Sequence, residues 1–127
     1  VESGCATKIV TPGRLDDEEV APFLRNAKLF VYPSLYEGFG MPLLEAFECN
    51  VPVATSNSSS LPEVGGDAAV YFDPTSKEEM KQAILKVLSS PELRAELVAK
   101  GREQLAKFSW EKCARETLAV LEDAAKK

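Results

Sequence analysis

The sequence predicts an α/β fold built on a short, mostly parallel sheet of about four strands, and three observations carry that expectation. Short apolar runs recur at Lys8–Thr11, Leu29–Tyr32, Pro52–Thr55 and Ala69–Phe72, most of them stopped by a proline. Helical periodicity fills the intervals and dominates everything after Ser76. Leu29–Tyr32 is apolar throughout rather than alternating, which suits a strand covered on both faces in a parallel sheet. A chain of 127 residues that is 45% hydrophobic can bury one core, so residues 1–127 are expected to form a single unit.

Taken in order, Lys8–Thr11 is a strand candidate closed by Pro12-Gly13. Asp16-Asp17-Glu18-Glu19 reads as a capping box with acids at the positive end of a helix. Val20, Phe23, Leu24 and Ala27 share one face of that helix, placed from about Asp17 to Asn26. After the strand Leu29–Tyr32, a glycine turn leads into a helix ending near Asn50, a residue type that tolerates the left-handed conformation of a helix end. Pro52–Thr55 is the next strand, Ser56–Ser60 a flexible surface loop, and Ala69–Phe72 the last strand. Ser76 with Glu79 makes a second capping box, while Ser90-Pro91 pairs an N-cap with proline at the first helical position. Gly101 weakly interrupts that helix. A final helix begins after Ser109, with Trp110, Cys113, Ala114, Thr117, Leu118 and Leu121 as a packing stripe.

Composition removes several function classes. The net charge of −5 argues against a domain held on nucleic acid by phosphate contacts. No apolar run approaches the roughly 20 residues of a membrane-spanning helix. Cys5, Cys49 and Cys113 are scattered, with no disulfide framework or zinc spacing, and a cytoplasmic location fits them. The absence of histidine removes His-based acid–base chemistry, so carboxylates, hydroxyls, Lys, Arg or the backbone must do any work.

The stretch Tyr36–Asn50 is the most informative part of the chain. Gly38-Phe39-Gly40 precedes Pro42 at the start of a helix, and glycines there let unpaired helix-start amides approach an anion such as a phosphate. On the turn alone, an ordinary strand-to-helix connection is the better reading. Glu37 and Glu45 flank the turn beyond a strand's carboxyl end, where ligands of open α/β sheets sit, and carboxylates there suit sugar hydroxyls. Glu45 is placed in the first helical turn, where the dipole would favour an acid in any case. Glu63 is divided between the same cleft and a local capping role.

Pro33-Ser-Leu-Tyr-Glu37-Gly-Phe-Gly-Met-Pro-Leu-Leu-Glu45-Ala-Phe-Glu-Cys-Asn-Val-Pro-Val-Ala54, followed by Ser59-Ser-Leu-Pro-Glu63-Val, closely resembles the C-terminal, nucleotide-sugar-binding domain of family 4 retaining glycosyltransferases, which have the GT-B fold. Asp17-Glu-Glu-Val, Ala27-Lys-Leu-Phe-Val-Tyr-Pro, Asp73-Pro and Phe108-Ser-Trp extend the resemblance over nearly the whole chain, which reverses the bland reading of the turn. It implies the distal part of such a domain, a partial Rossmann-like three-layer unit. The intact enzyme would transfer a hexosyl group from a UDP-, GDP- or ADP-sugar. By the same resemblance, Glu45 meets ribose hydroxyls, Glu37 is catalytic and lies beside the donor sugar, and the backbone from Gly38, Phe39 and Gly40 through Met41, Pro42 and Leu43 meets sugar and diphosphate. No metal or other cofactor is implied, because the leaving diphosphate itself helps deprotonate the acceptor.

Some expected parts have no counterpart: an N-terminal acceptor domain, and the loop whose Arg and Lys grip the diphosphate. Arg14 is a false match to that grip and reads as a solvated charge. Asn50 replaces the usual glycine. The fragment alone is accordingly expected to be inactive, with an open sheet edge and an unpartnered last helix that favour self-association. A non-catalytic binding or assembly module, or another GT-B enzyme such as a phosphorylase or sugar-nucleotide epimerase, remains the alternative.

Overall fold

A computed structural model describes residues 8–126; the sequence reading of Cys5 lies outside them. The elements are α1 (Asp17–Arg25), β1 (Phe30–Tyr32), α2 (Met41–Glu48), β2 (Val53–Ser56), α3 (Leu61–Gly65), a short tight helical turn (Gly66–Ala68), β3 (Ala69–Phe72), α4 (Lys77–Ser89), α5 (Pro91–Leu105) and α6 (Trp110–Ala125). The strands form one parallel sheet in the order β1-β2-β3.

Register explains how the sheet is covered. Phe30, Val53 and Ala69 are aligned, as are Tyr32, Thr55 and Tyr71. Because strand side chains alternate faces, both rows fall on one side, where Leu43, Leu44, Ala46 and Phe47 of α2 and Leu61 and Val64 of α3 complete the main core. The other rows, Val31-Ala54-Val70 and Phe72, meet Met80 and Ala83 of α4. Every residue of β2 is buried, as expected of a central parallel strand.

Helix ends follow the sequence reading, with one exception. Glu19 Oε2 accepts from the Asp16 N–H at 3.0 Å, so the first capping box forms. At Ser76 only half of the expected box exists. Its hydroxyl accepts from Glu79 N–H at 3.2 Å, but the Glu79 carboxylate turns to the Asp73 N–H at 2.9 Å and braces the end of β3 instead. Ser90 and Ser109 each accept from the amide three residues on, opening α5 and α6. Asn50 has φ 59°, and its amide bonds Phe47 O while that of Val51 bonds Ala46 O, both at 3.0 Å. That pair of bonds is a Schellman ending of α2.

Two expectations change. Lys8–Thr11 forms no strand: among the described residues no neighbour offers it a ladder, and Ile9 and Val10 are left 57% and 82% exposed. Among the described residues the sheet therefore has three strands, not four. Gly101 is a contact residue rather than a weak point, since a Cβ there would stand 2.9 Å from the Phe47 ring. The stripe on α6 is left exposed, as expected of a last helix without a partner: no residue of this helix is buried and Trp110 is 80% exposed.

Candidate functional site

The carboxyl ends of β1 and β2 open into two loops that hold each other. The first, residues 33–40, carries Glu37 and the glycine turn; the second, residues 57–60, is the serine loop. Thr55 Oγ1 and Ser56 Oγ donate to the Tyr32 carbonyl at 3.0 and 3.4 Å, tying the last residue of β1 to the central strand. Beyond this point Ser58 Oγ donates to Ser34 O at 3.2 Å, Ser59 Oγ accepts from the Glu37 N–H at 3.0 Å, and Ser60 Oγ lies 2.6 Å from Phe39 O and 3.1 Å from Glu37 O as donor. The serine loop is thus a clamp, which corrects its reading as a flexible surface loop. Ser59 adopts φ 50°, a left-handed conformation that costs a non-glycine residue roughly 1–2 kcal/mol.

Glu37 is half-buried, and its Oε1 accepts from Tyr32 OH at 2.5 Å and from Ser34 Oγ at 2.8 Å. These bonds, the Tyr32 one first, hold its carboxyl below the usual carboxylate range. The Tyr32 phenol is pushed up to about 12, by burial first and then by the bond to Glu37 and the charges of Glu37 and Glu45. Tyr32 therefore stands in the field of both carboxylates singled out in the sequence.

Glu45 is exposed and lies past the first turn of α2, a turn that contains no acid. This corrects its placement and removes the dipole as an explanation for it. It lines a groove between α1 and α2 with Asp17, Val20, Ala21, Leu24, Glu48 and Cys49. Gly40 occupies the N-cap of α2 at φ 115°, with no side chain capping the helix, and a Cβ there would come within 2.9 Å of Leu61. Of the turn backbone, Pro42 has no N–H and the Leu43 amide is engaged by Gly40 O at 3.0 Å. No hydrogen bond among the described residues engages the amides of Gly38, Phe39, Gly40 and Met41, the ones open to an anion.

Several supports of this site carried no sequence signal beyond their polarity: Tyr32, Ser34 and the serine clamp. Phe108, quoted above only as part of a pattern, packs edge-on against Phe39 with ring centroids 5.8 Å apart. Glu63 stands apart, in a second groove with Gly66, Asp67, Lys100, Glu103, Gln104 and Lys107. Arg14 is exposed. Among the described residues no cluster of His, Cys, Asp or Glu could hold a metal ion, and no helix is long and apolar enough to cross a membrane.

The sequence pattern of Glycosyl transferases group 1 matches residues 2–104. The chain is 44% identical over 106 residues to O-antigen chain mannosyltransferase B of Escherichia coli, an alignment covering 84% of this chain and 28% of that protein. It is 35% identical over 127 residues to the MMP alpha-(1->4)-mannosyltransferase of Mycolicibacterium hassiacum, covering 97% and 31%. The fold superposes on sucrose-phosphate synthase from Thermosynechococcus elongatus with TM-score 0.82 and 26% identity, over 95% of this chain and 31% of that one. The chain thus spans under a third of the length of each of these relatives, and the GT-B resemblance is borne out. It belongs to the group 1 glycosyl transferases.

Proposed function

We propose that this chain holds the sugar and ribose side of the donor site of a retaining hexosyltransferase that uses a nucleotide-sugar. The observation that carries the reading is the pair Glu37 and Glu45 about Tyr32, beside open amides at the start of α2 and at the carboxyl ends of parallel strands. Glu45 accepts from ribose hydroxyls in its groove, and Glu37 from a hydroxyl of the donor sugar. The amides of Gly38 to Met41 meet the sugar and the diphosphate.

In the transfer, the bond between the anomeric carbon and the diphosphate oxygen breaks. A bond to the acceptor oxygen forms on the same face, and the acceptor proton passes to the leaving diphosphate. No metal is required in this scheme, and Glu37 acts on charge and position rather than as a proton donor, in keeping with its depressed pKa. The site works in the cytoplasm, where nucleotide-sugars are made. Acceptor binding and the rest of the diphosphate grip belong to an N-terminal domain, so the chain alone binds donor weakly and does not turn over. Support for that division is its coverage of 28% of the first mannosyltransferase named above.

The test is calorimetric titration of GDP-mannose, UDP-glucose and ADP-glucose against the full-length enzyme. One of them binds, and Glu45→Ala weakens it by about tenfold, ~1.4 kcal/mol, or more. Absence of binding by all three sinks the reading. EDTA leaves transfer by the same protein unchanged.

A further inference from the structure

Three side chains from three places in the chain converge on Glu37: Tyr32 from the end of β1, Ser34 from the loop and Ser59 from the clamp. Two of them take the same carboxylate oxygen, Oε1, and the third takes the backbone amide. No hydrogen bond among the described residues engages Oε2. We propose that Tyr32, Ser34 and Ser59 are positioning residues that fix Glu37 so that Oε2 alone accepts a hydroxyl of the donor sugar, a proposal that rests on the donor-site reading.

The arrangement has a physical logic. A free glutamate offers two equivalent oxygens on a rotating group, and ordering it at the moment of binding lowers affinity. Here rotation is stopped before the ligand arrives, since exchanging the two oxygens would break both bonds to Oε1. Tyr32 is itself fixed, because its carbonyl is held by Thr55 and Ser56. Ser59 accepts a left-handed backbone, and its hydroxyl meets the Glu37 amide from there. The charge state supports the same assignment, because two donors on one oxygen favour the ionised, acceptor-only carboxylate.

The experiment has a ligand-free arm and a ligand arm, both on the full-length enzyme. In the first, the Glu37 carboxyl carbon is titrated by NMR. Tyr32→Phe and Ser34→Ala each raise its pKa toward the ordinary carboxylate range, and Ser34→Thr, which keeps the hydroxyl, does not. Ser59→Gly suits the left-handed backbone and removes the hydroxyl together with its β-carbon, so it leaves the fold intact and speeds exchange of the Glu37 amide. An unmoved Glu37 pKa in both Tyr32→Phe and Ser34→Ala overturns the proposal. In the second arm, Tyr32→Phe and Ser34→Ala weaken binding of the nucleotide-hexose taken by the wild type by several-fold, while Ser34→Thr retains it. Unchanged affinity overturns the proposal and leaves the donor-site reading standing. If the wild type takes no nucleotide-hexose, the donor-site reading falls, and the ligand-free arm still decides how Glu37 is held.

Discussion

Gly101 of α5 lies against the ring of Phe47 in α2, so near that a Cβ at 101 would stand 2.9 Å from Phe47 Cδ1. Phe47 is 2% exposed and has no room to swing away. Gly101→Ala is therefore expected to destabilise, because overpacking of about 1–3 kcal/mol outweighs the ~1 kcal/mol by which alanine favours a helix interior. Denaturant midpoints check this, and the double variant with Phe47→Leu should recover part of the loss.

Asn50 serves two ends. Its backbone takes the left-handed position that closes α2, and its Oδ1 accepts from Arg102 Nε of α5 at 2.6 Å. Asn50→Ala is expected to cost roughly 1–2 kcal/mol, because alanine is strained at φ > 0. Asn50→Gly removes only the bond to Arg102 and should cost about 1 kcal/mol or less. Equal losses in the two variants, read by thermal unfolding, would contradict this division.

Stability should fall in strong base. The phenols of Tyr32 and Tyr71 both rise from 10.0 to about 12, that of Tyr71 by burial first and then by the Asp67 charge. A folded-state pKa above the unfolded one contributes stability that is complete below pH 10 and is lost as pH rises through about 12. Glu37 has the opposite sign: its folded value lies below the unfolded one, so its contribution is lost as pH falls through the depressed value. Denaturant midpoints followed with phenolate absorbance should show the alkaline loss, and Tyr32→Phe should show less of it.

Removal of α6 should leave the rest of the fold within about 0.5 kcal/mol of its original stability, since this helix buries none of its residues. The same truncation should lower concentration-dependent association in sedimentation, because Trp110, Leu118, Val120 and Leu121 are more than half exposed. A large fall in Tm on truncation would contradict the first expectation.

The α/β class, three of the four strands and the helix starts at Ser76, Ser90 and Ser109 were legible because each rests on a local rule of pattern or capping. The fourth strand was not, since Lys8–Thr11 carries the propensity of a strand but finds no partner among the described residues, and pairing is a tertiary fact. Glu37 and Glu45 drew notice by flanking the glycine turn beyond a strand's carboxyl end, and their expected roles came from the family resemblance. Tyr32 and the serine clamp were invisible for the opposite reason: a tyrosine ending an apolar run reads as core, and consecutive serines read as loop. Only the register of β1 against β2 brings them over the same turn.

That register also links binding to folding. The clamp contacts join residues 21 to 24 positions apart, all within β1, β2 and the two loops that follow the strands. Separation of β1 from β2 would part Tyr32 from Thr55 and the Glu37 turn from its serines in one event. A ligand seated on the turn must then oppose that separation, so occupancy will appear as slower amide exchange deep in the paired strands, in residues no ligand can touch.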